Sequence, residues 1–151
     1  ALWERGALTV GAVALPDRGV TLSTAQPPPL PLPYGGPPRV VASRRRAPAF
    51  VDELVGALGG TLVPLGSAGA KIAAVVFGEA DVYLHAGGQR EWDSAAPVAV
   101  ARSAGLHTSR LDGGPLVYNK PDPVVPDLLV CRDDLAADVL ALVATLPRRP
   151  R

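Results

Sequence analysis

The residues with the most chemical potential lie in one short stretch, Glu91-Trp92-Asp93-Ser94-Ala95-Ala96-Pro97. Asp93 stands beside a large aromatic and just before a small-residue run with the composition of a helix start. An aspartate there has two uses. As a helix N-cap, it accepts hydrogen bonds from first-turn N–H groups and sits at the positive end of the helix. As a fixed carboxylate, it can also hold a hard cation such as Mg²⁺. A second candidate is Gly66-Ser67-Ala68-Gly69-Ala70-Lys71, where small residues and a hydroxyl precede an apolar helix and Lys71 follows one turn on. Such a helix start suits an anion; a plain turn with a snorkelling lysine is the other reading. Two stronger motifs are excluded. A phosphate-binding P-loop requires Ser or Thr directly after its lysine, and Ile72 stands there. A nucleophile elbow requires G-x-S-x-G, and the spacing is Gly66-Ser67-Ala68-Gly69.

The remaining candidates sit where strands end. His85 ends the strand-like Ala80–His85 and precedes a glycine-rich segment, a ligand-facing position in α/β proteins, although a lone histidine is more often structural. Arg44-Arg45-Arg46 follows the strand-like Arg39–Ser43, as a solvated loop or as a cationic rim for an anionic ligand. His85, His107 and Cys131 fall in different elements, which speaks against a zinc site.

The elements that must position these groups follow from the pattern. Ala7–Leu15 is apolar on both faces and, with Val20–Thr24 across the turn Pro16–Gly19, reads as a hairpin with a central first strand. Residues 26–38 carry seven prolines and form a stiff connector. From Arg39 onward strands and helices alternate: a helix opened by Pro48 and stopped by Gly59-Gly60, a strand over Thr61–Leu65, an all-apolar buried helix over Ile72–Phe77, and a strand over Ala80–His85. A flexible loop over Ala86–Arg90 leads to the Asp93 helix, which Gly105 ends. Strands at His107–Leu111 and Asp127–Cys131 and a last helix capped by Asp133 or Asp134 follow. Domains are expected as 1–25, the end of an α+β unit; 26–38, the connector; 39–146, an α/β domain; and 147–151, a basic tail. Unpaired edges of the first hairpin favour self-association.

With 151 residues and 48% hydrophobic content, the chain is long and apolar enough for a core. A net charge of +1 gives no field for a nucleic acid polymer or a membrane surface, and no run reaches membrane-span length. The single cysteine suits a reducing, cytoplasmic compartment. The chain contains no methionine and opens without an initiator, which points to a fragment, a processed chain or a truncated gene product.

Taken together, Gly66–Lys71, Tyr83-Leu84-His85-Ala86-Gly87-Gly88, Trp92–Pro97 and Pro126–Arg132 resemble the C-terminal half of the inositol monophosphatase superfamily, Mg²⁺-dependent and lithium-sensitive phosphomonoesterases. The likeness is strongest to its 3′(2′),5′-bisphosphate nucleotidase branch. It implies the C-terminal portion of a layered α-β-α-β-α sandwich, a Mg²⁺ cofactor, and hydrolysis of 3′-phosphoadenosine 5′-phosphate to AMP and phosphate in sulfate assimilation. It implies that Asp93 is a metal ligand. It also implies that Ser67 and Lys71 contact the nucleotide, with His85 where inositol-specific members carry a substrate-binding Glu. Ser43-Arg44 matches the start of a Ser-Arg-Ser-His element whose His is replaced by Arg46. Two upstream metal motifs of the superfamily, a Glu-Glu pair and Asp-Pro-Leu/Ile-Asp-Gly-Thr, are missing, so the chain is expected to be inactive alone. Alternatives are an inositol-1-phosphate or fructose-1,6-bisphosphate phosphatase, or a non-catalytic assembly module. The expected partner is a small phosphorylated molecule, and a homodimer is compatible with the pattern.

Overall fold

The computed structural model describes residues 1–44 and 47–146. The triple-arginine reading at Arg45 and Arg46 and the basic tail therefore lie outside the described residues. The centre is a five-stranded mixed sheet built from β5 (Arg39–Ser43), β6 (Thr61–Leu65), β7 (Val82–Arg90), β8 (His107–Ser109) and β9 (Val124–Cys131), in the order β6-β5-β7-β9-β8. β5 is parallel to β6 and β7, while β9 runs antiparallel to β7 and β8.

Each inner strand alternates between two cores because successive side chains leave opposite faces. Val41, Tyr83, Leu128 and Val130 face one side, with α2 (Ala68–Val76) and α3 (Glu91–Ser103). Val40, Ala42, Val82, Leu84, Leu129 and Cys131 face the other, with α1 (Val51–Ala57) and α4 (Asp133–Thr145). A sheet covered on both faces reads as continuous apolar runs, which is why β5, β7 and β9 were legible.

The first 25 residues differ from the single hairpin that the sequence suggests. Ala7–Leu15 breaks at Gly11 into β2 (Ala7–Val10) and β3 (Ala12–Leu15); β2 pairs with β1 (Leu2–Glu4), and β3 with β4 (Val20–Ser23). The cause is a close approach to α3. A Cβ on Gly11 would stand 2.7 Å from Ala99 Cβ and 2.8 Å from the Ala96 carbonyl oxygen. Leu22, Val13 and Leu15 then complete the burial of α2, whose residues Lys71–Val76 are all buried. Gly11→Ala is expected to cost about 1–3 kcal/mol, the usual penalty of overpacking; a denaturant midpoint equal to that of the parent chain would contradict this.

Other boundaries move as well. β7 continues through Gly87-Gly88 to Arg90, where a flexible loop was expected. The β7–β9 register passes from Ala86↔Asp127 to Gln89↔Val125, so Gly87 and Gly88 together oppose Pro126 in a β-bulge. Both glycines have positive φ, +86° and +79°, and the proline, which has no N–H to donate, sits at the one position where the ladder is interrupted. The last helix is not capped by Asp133 or Asp134: Arg132 is the N-cap residue, and Asp134 instead pairs with the Arg132 guanidinium. The helix expected to open at Pro48 begins at Val51.

Candidate active site

One pocket of about 690 Å³ opens over the ends of β5 and β7 and the starts of α2 and α3. Ser43, Ser67, Lys71, His85 and Asp93 all line it, though they come from four elements and their connections. Arg44 does not: it lies exposed in the turn after β5, its N–H donating to the Leu65 carbonyl at 3.3 Å.

Asp93 is exposed and belongs to the first turn of α3, but it is not the N-cap. Arg90 occupies that position, and Asp93 Oδ2 accepts the Arg90 N–H at 3.0 Å as the returning half of a capping box. The carboxylate is thereby fixed at the positive end of the helix with its other oxygen left for the pocket.

Ser67 is the N-cap of α2. Its Oγ accepts the Ala70 N–H at 3.4 Å, and its carbonyl accepts the Lys71 N–H. Its φ of +57° is a conformation that a non-glycine residue adopts at a cost of about 1–3 kcal/mol. The Ala68 and Gly69 N–H groups at the open helix end are among those that no helical carbonyl can reach. Lys71 is buried at 5% exposure with its Nζ 5.2 Å from the Tyr83 ring centroid. The start of a helix is its positive end, so an anionic ligand is favoured there.

Sequence reasoning missed Tyr83 and Gln89. Tyr83 was given no role of its own, yet strand periodicity places it on the same face as His85, two residues on. Its phenol joins the site: Gln89 Nε2 donates to Tyr83 Oη at 3.4 Å. Burial pushes the Tyr83 pKa well up, opposed by the Gln89 hydrogen bond and reinforced by the charge of Asp93, so the group remains a neutral hydroxyl. Nothing in the sequence marked Gln89, because only the bulge determines where it lands.

The placement of His107 and Cys131 in distant elements is corrected by the sheet: β8 and β9 set them directly opposite each other. Burial, then the charges of Asp133 and Asp134, push the Cys131 thiol up to about 12, so it is protonated at neutral pH and is a poor metal ligand. A second alignment has Ser109 Oγ 2.8 Å from His107 Nε2, with Asp133 4.0 Å from His107 Nδ1. Ser109 is buried at 3% exposure and none of the three lines the pocket, so this hydroxyl has no route to a substrate.

For Mg²⁺, the fit is partial. The ion requires a near-octahedral oxygen set. Asp93 is the one carboxylate among the described residues lining the pocket, and no group of three His, Cys, Asp or Glu side chains gathers among the described residues. These residues fit one ligand position, not a whole site. Among the described residues, no helix is long and apolar enough to cross a membrane.

Comparison with known proteins agrees with this architecture. The chain is 46% identical over 156 residues to a 3′-phosphoadenosine 5′-phosphate phosphatase of Mycobacterium bovis, covering 95% of this chain and 57% of that protein. It is 38% identical over 82 residues to the 3′(2′),5′-bisphosphate nucleotidase CysQ of Escherichia coli, covering 54% of this chain and 33% of that protein. The chain thus spans little more than half the length of the mycobacterial relative. Among solved structures, it superposes on an inositol monophosphatase from Anabaena with a TM-score of 0.69 at 20% identity, covering 92% of this chain and 60% of the other. CysQ from Bacteroides thetaiotaomicron gives 0.60 at 31% identity, covering 68% of this chain and 40% of the other. Residues 38–145, most of the chain, match the inositol monophosphatase family, and the protein belongs to that family.

Proposed function

We propose that this chain carries the substrate-binding half of a Mg²⁺-dependent phosphomonoesterase site for 3′-phosphoadenosine 5′-phosphate. The observation that carries the reading is the convergence of Lys71, Ser67, His85 and Asp93 on one 690 Å³ pocket. The names of the mycobacterial and enterobacterial relatives support the bisphosphate nucleotide as substrate.

In this reading the N-terminus of α2 receives a phosphate. The Ala68 and Gly69 N–H groups and the Ser67 hydroxyl donate to its oxygens, and the Lys71 ammonium neutralises charge. The Ser43 hydroxyl and the His85 imidazole flank the remainder of the nucleotide. Asp93 supplies one carboxylate ligand to Mg²⁺, which when bound polarises the phosphate and activates water. The other ligands would come from the motifs that the resemblance places upstream, and a cytoplasmic setting and a possible homodimer belong to the same proposal.

Two measurements test this. Lys71→Met is expected to weaken binding of the nucleotide about 10–100-fold, the scale of a charge-assisted hydrogen bond, with an unchanged circular dichroism spectrum; unchanged affinity would contradict the assignment. Supplying the complementary N-terminal portion of the mycobacterial relative is expected to restore Mg²⁺-dependent phosphate release that the 151-residue chain alone lacks. Equal release with and without that portion would overturn the half-site reading.

A further inference from the structure

Gln89 is an anomaly in the pocket wall. It is 5% exposed, lies between the glycine bulge and α3, and lines the cavity. Its Nε2 is engaged by Tyr83 Oη, yet its Oε1 is buried with no hydrogen-bond partner. A buried carbonyl oxygen left unpaired is costly, and native structures rarely retain one without a use. The bulge is what puts it there: Gln89 pairs in register with Val125, a residue of the same core as Tyr83.

The chemistry of the missing partner is constrained. A carbonyl oxygen only accepts, and an ionised phosphate only accepts, so the two cannot satisfy each other. A ligand group that meets it is therefore an O–H or N–H donor. Its place is constrained as well. Lys71, the cation suited to phosphate, stands over the same Tyr83 ring whose hydroxyl holds Gln89. Lys71 and Gln89 thus share the pocket wall built on Tyr83. A Cβ added at Gly87 or Gly88 would meet nothing within 4 Å, so the bulge leaves open space beside Gln89 for a ring to approach.

We propose that Gln89 is a specificity residue of this pocket, its Oε1 accepting a hydrogen bond from the free sugar hydroxyl adjacent to the phosphate of the bound nucleotide. The inference rests on the bisphosphate-nucleotide reading and extends it: the pocket selects ribose over deoxyribose. The opposite amide orientation, with Nε2 facing the ligand, would donate to a phosphate or hydroxyl oxygen, which Glu in its place could not do.

The test is calorimetric titration of the 151-residue chain with 3′-phosphoadenosine 5′-phosphate and with its 2′-deoxy counterpart. The parent chain is expected to prefer the ribose form about tenfold, the scale of discrimination when a buried polar group loses its partner. Gln89→Leu is expected to bind both forms with a preference below about twofold. Gln89→Glu keeps an acceptor, so it is expected to retain the preference while binding both forms more weakly through added negative charge. Equal binding of the two nucleotides by the parent chain, or an undiminished preference in Q89L, would overturn this inference and leave the nucleotide reading standing. A Q89E chain that loses the preference as Q89L does would show the amide donating rather than accepting, and would also overturn it. Binding of neither nucleotide by the parent chain would overturn the nucleotide reading and this inference with it.

Discussion

Asp93→Asn is expected to lower Mg²⁺-dependent phosphate release by about 100-fold or more in the enzyme completed with the N-terminal portion of its mycobacterial relative. The scale exceeds the 10–100-fold typical of changes one shell removed from a metal. The substitution separates the two roles of the residue. Asn retains an oxygen that can accept the Arg90 N–H, so the start of α3 is preserved. It removes the charge that a hard cation requires. The expected signature is a fall in activity that added Mg²⁺ partly restores, with a melting temperature within about 2 °C of the parent, since surface changes that preserve such features shift stability by about half a kcal/mol or less. Full activity would remove Asp93 from the site. A lost activity accompanied by collapse of the melting temperature would reduce it to a helix-start residue.

The largest effect on stability is expected from Asp81→Asn. Asp81 is 2% exposed and stands where the start of β5, the start of β7 and the end of β9 meet. Its Oδ2 accepts the Arg39 N–H at 2.8 Å and Arg39 Nε at 2.9 Å, and its Oδ1 accepts Arg39 Nη2 at 3.1 Å; Arg132 Nη1 lies 3.6 Å away. Removing that charge leaves the largely buried Arg39 guanidinium without its carboxylate partner, while Arg132 keeps its pair with Asp134. Breaking a buried pair on one side costs about 3–5 kcal/mol, which for a chain of this size lowers the melting temperature by roughly 10 °C or more. The same network sets the acid limit. Burial pushes the Asp81 carboxyl up, but the Arg39 hydrogen bonds and the charges of Arg39 and Arg132 prevail and hold it below its ordinary value. A carboxylate depressed in the folded state contributes stability that is present above its unfolded pKa of about 4 and is lost as pH falls toward the folded value. The parent chain should therefore weaken below about pH 4, with a shallower acid dependence in D81N. A melting temperature that D81N leaves unchanged at pH 7 would contradict the network's role.

How much of this was written in the sequence depends on the kind of signal. β5, β9 and α2 were readable because burial on both sides leaves the apolar runs Val40-Val41-Ala42, Leu128–Cys131 and Ile72–Val76. That Ser67, Lys71, His85 and Asp93 would line one pocket was readable because helix starts and strand ends carry recognisable residue types. What failed was register. Gly87-Gly88 has the composition of a loop, and only pairing with Pro126 makes it a bulge inside a nine-residue strand. Gly11 looks like one more small residue in an apolar strand until α3 is packed against it. Gln89 and the neighbouring His107 and Cys131 were invisible for the same reason: cross-strand partners are decided by the whole sheet, and no local window contains them. Arg44 was readable as a basic loop residue, but its position on the rim depended on a turn that instead carries it away from the pocket.

The central claim is that this chain presents the phosphate-binding and sugar-binding walls of a nucleotide site. It is tested most directly by following backbone amide resonances of the ¹⁵N-labelled 151-residue chain during titration with 3′-phosphoadenosine 5′-phosphate. The account predicts saturable shifts concentrated at Ala68, Gly69, Lys71, Gly87, Gly88 and Gln89, with the amides of α4 unmoved. Shifts absent from the start of α2, or spread evenly over the surface, would contradict it.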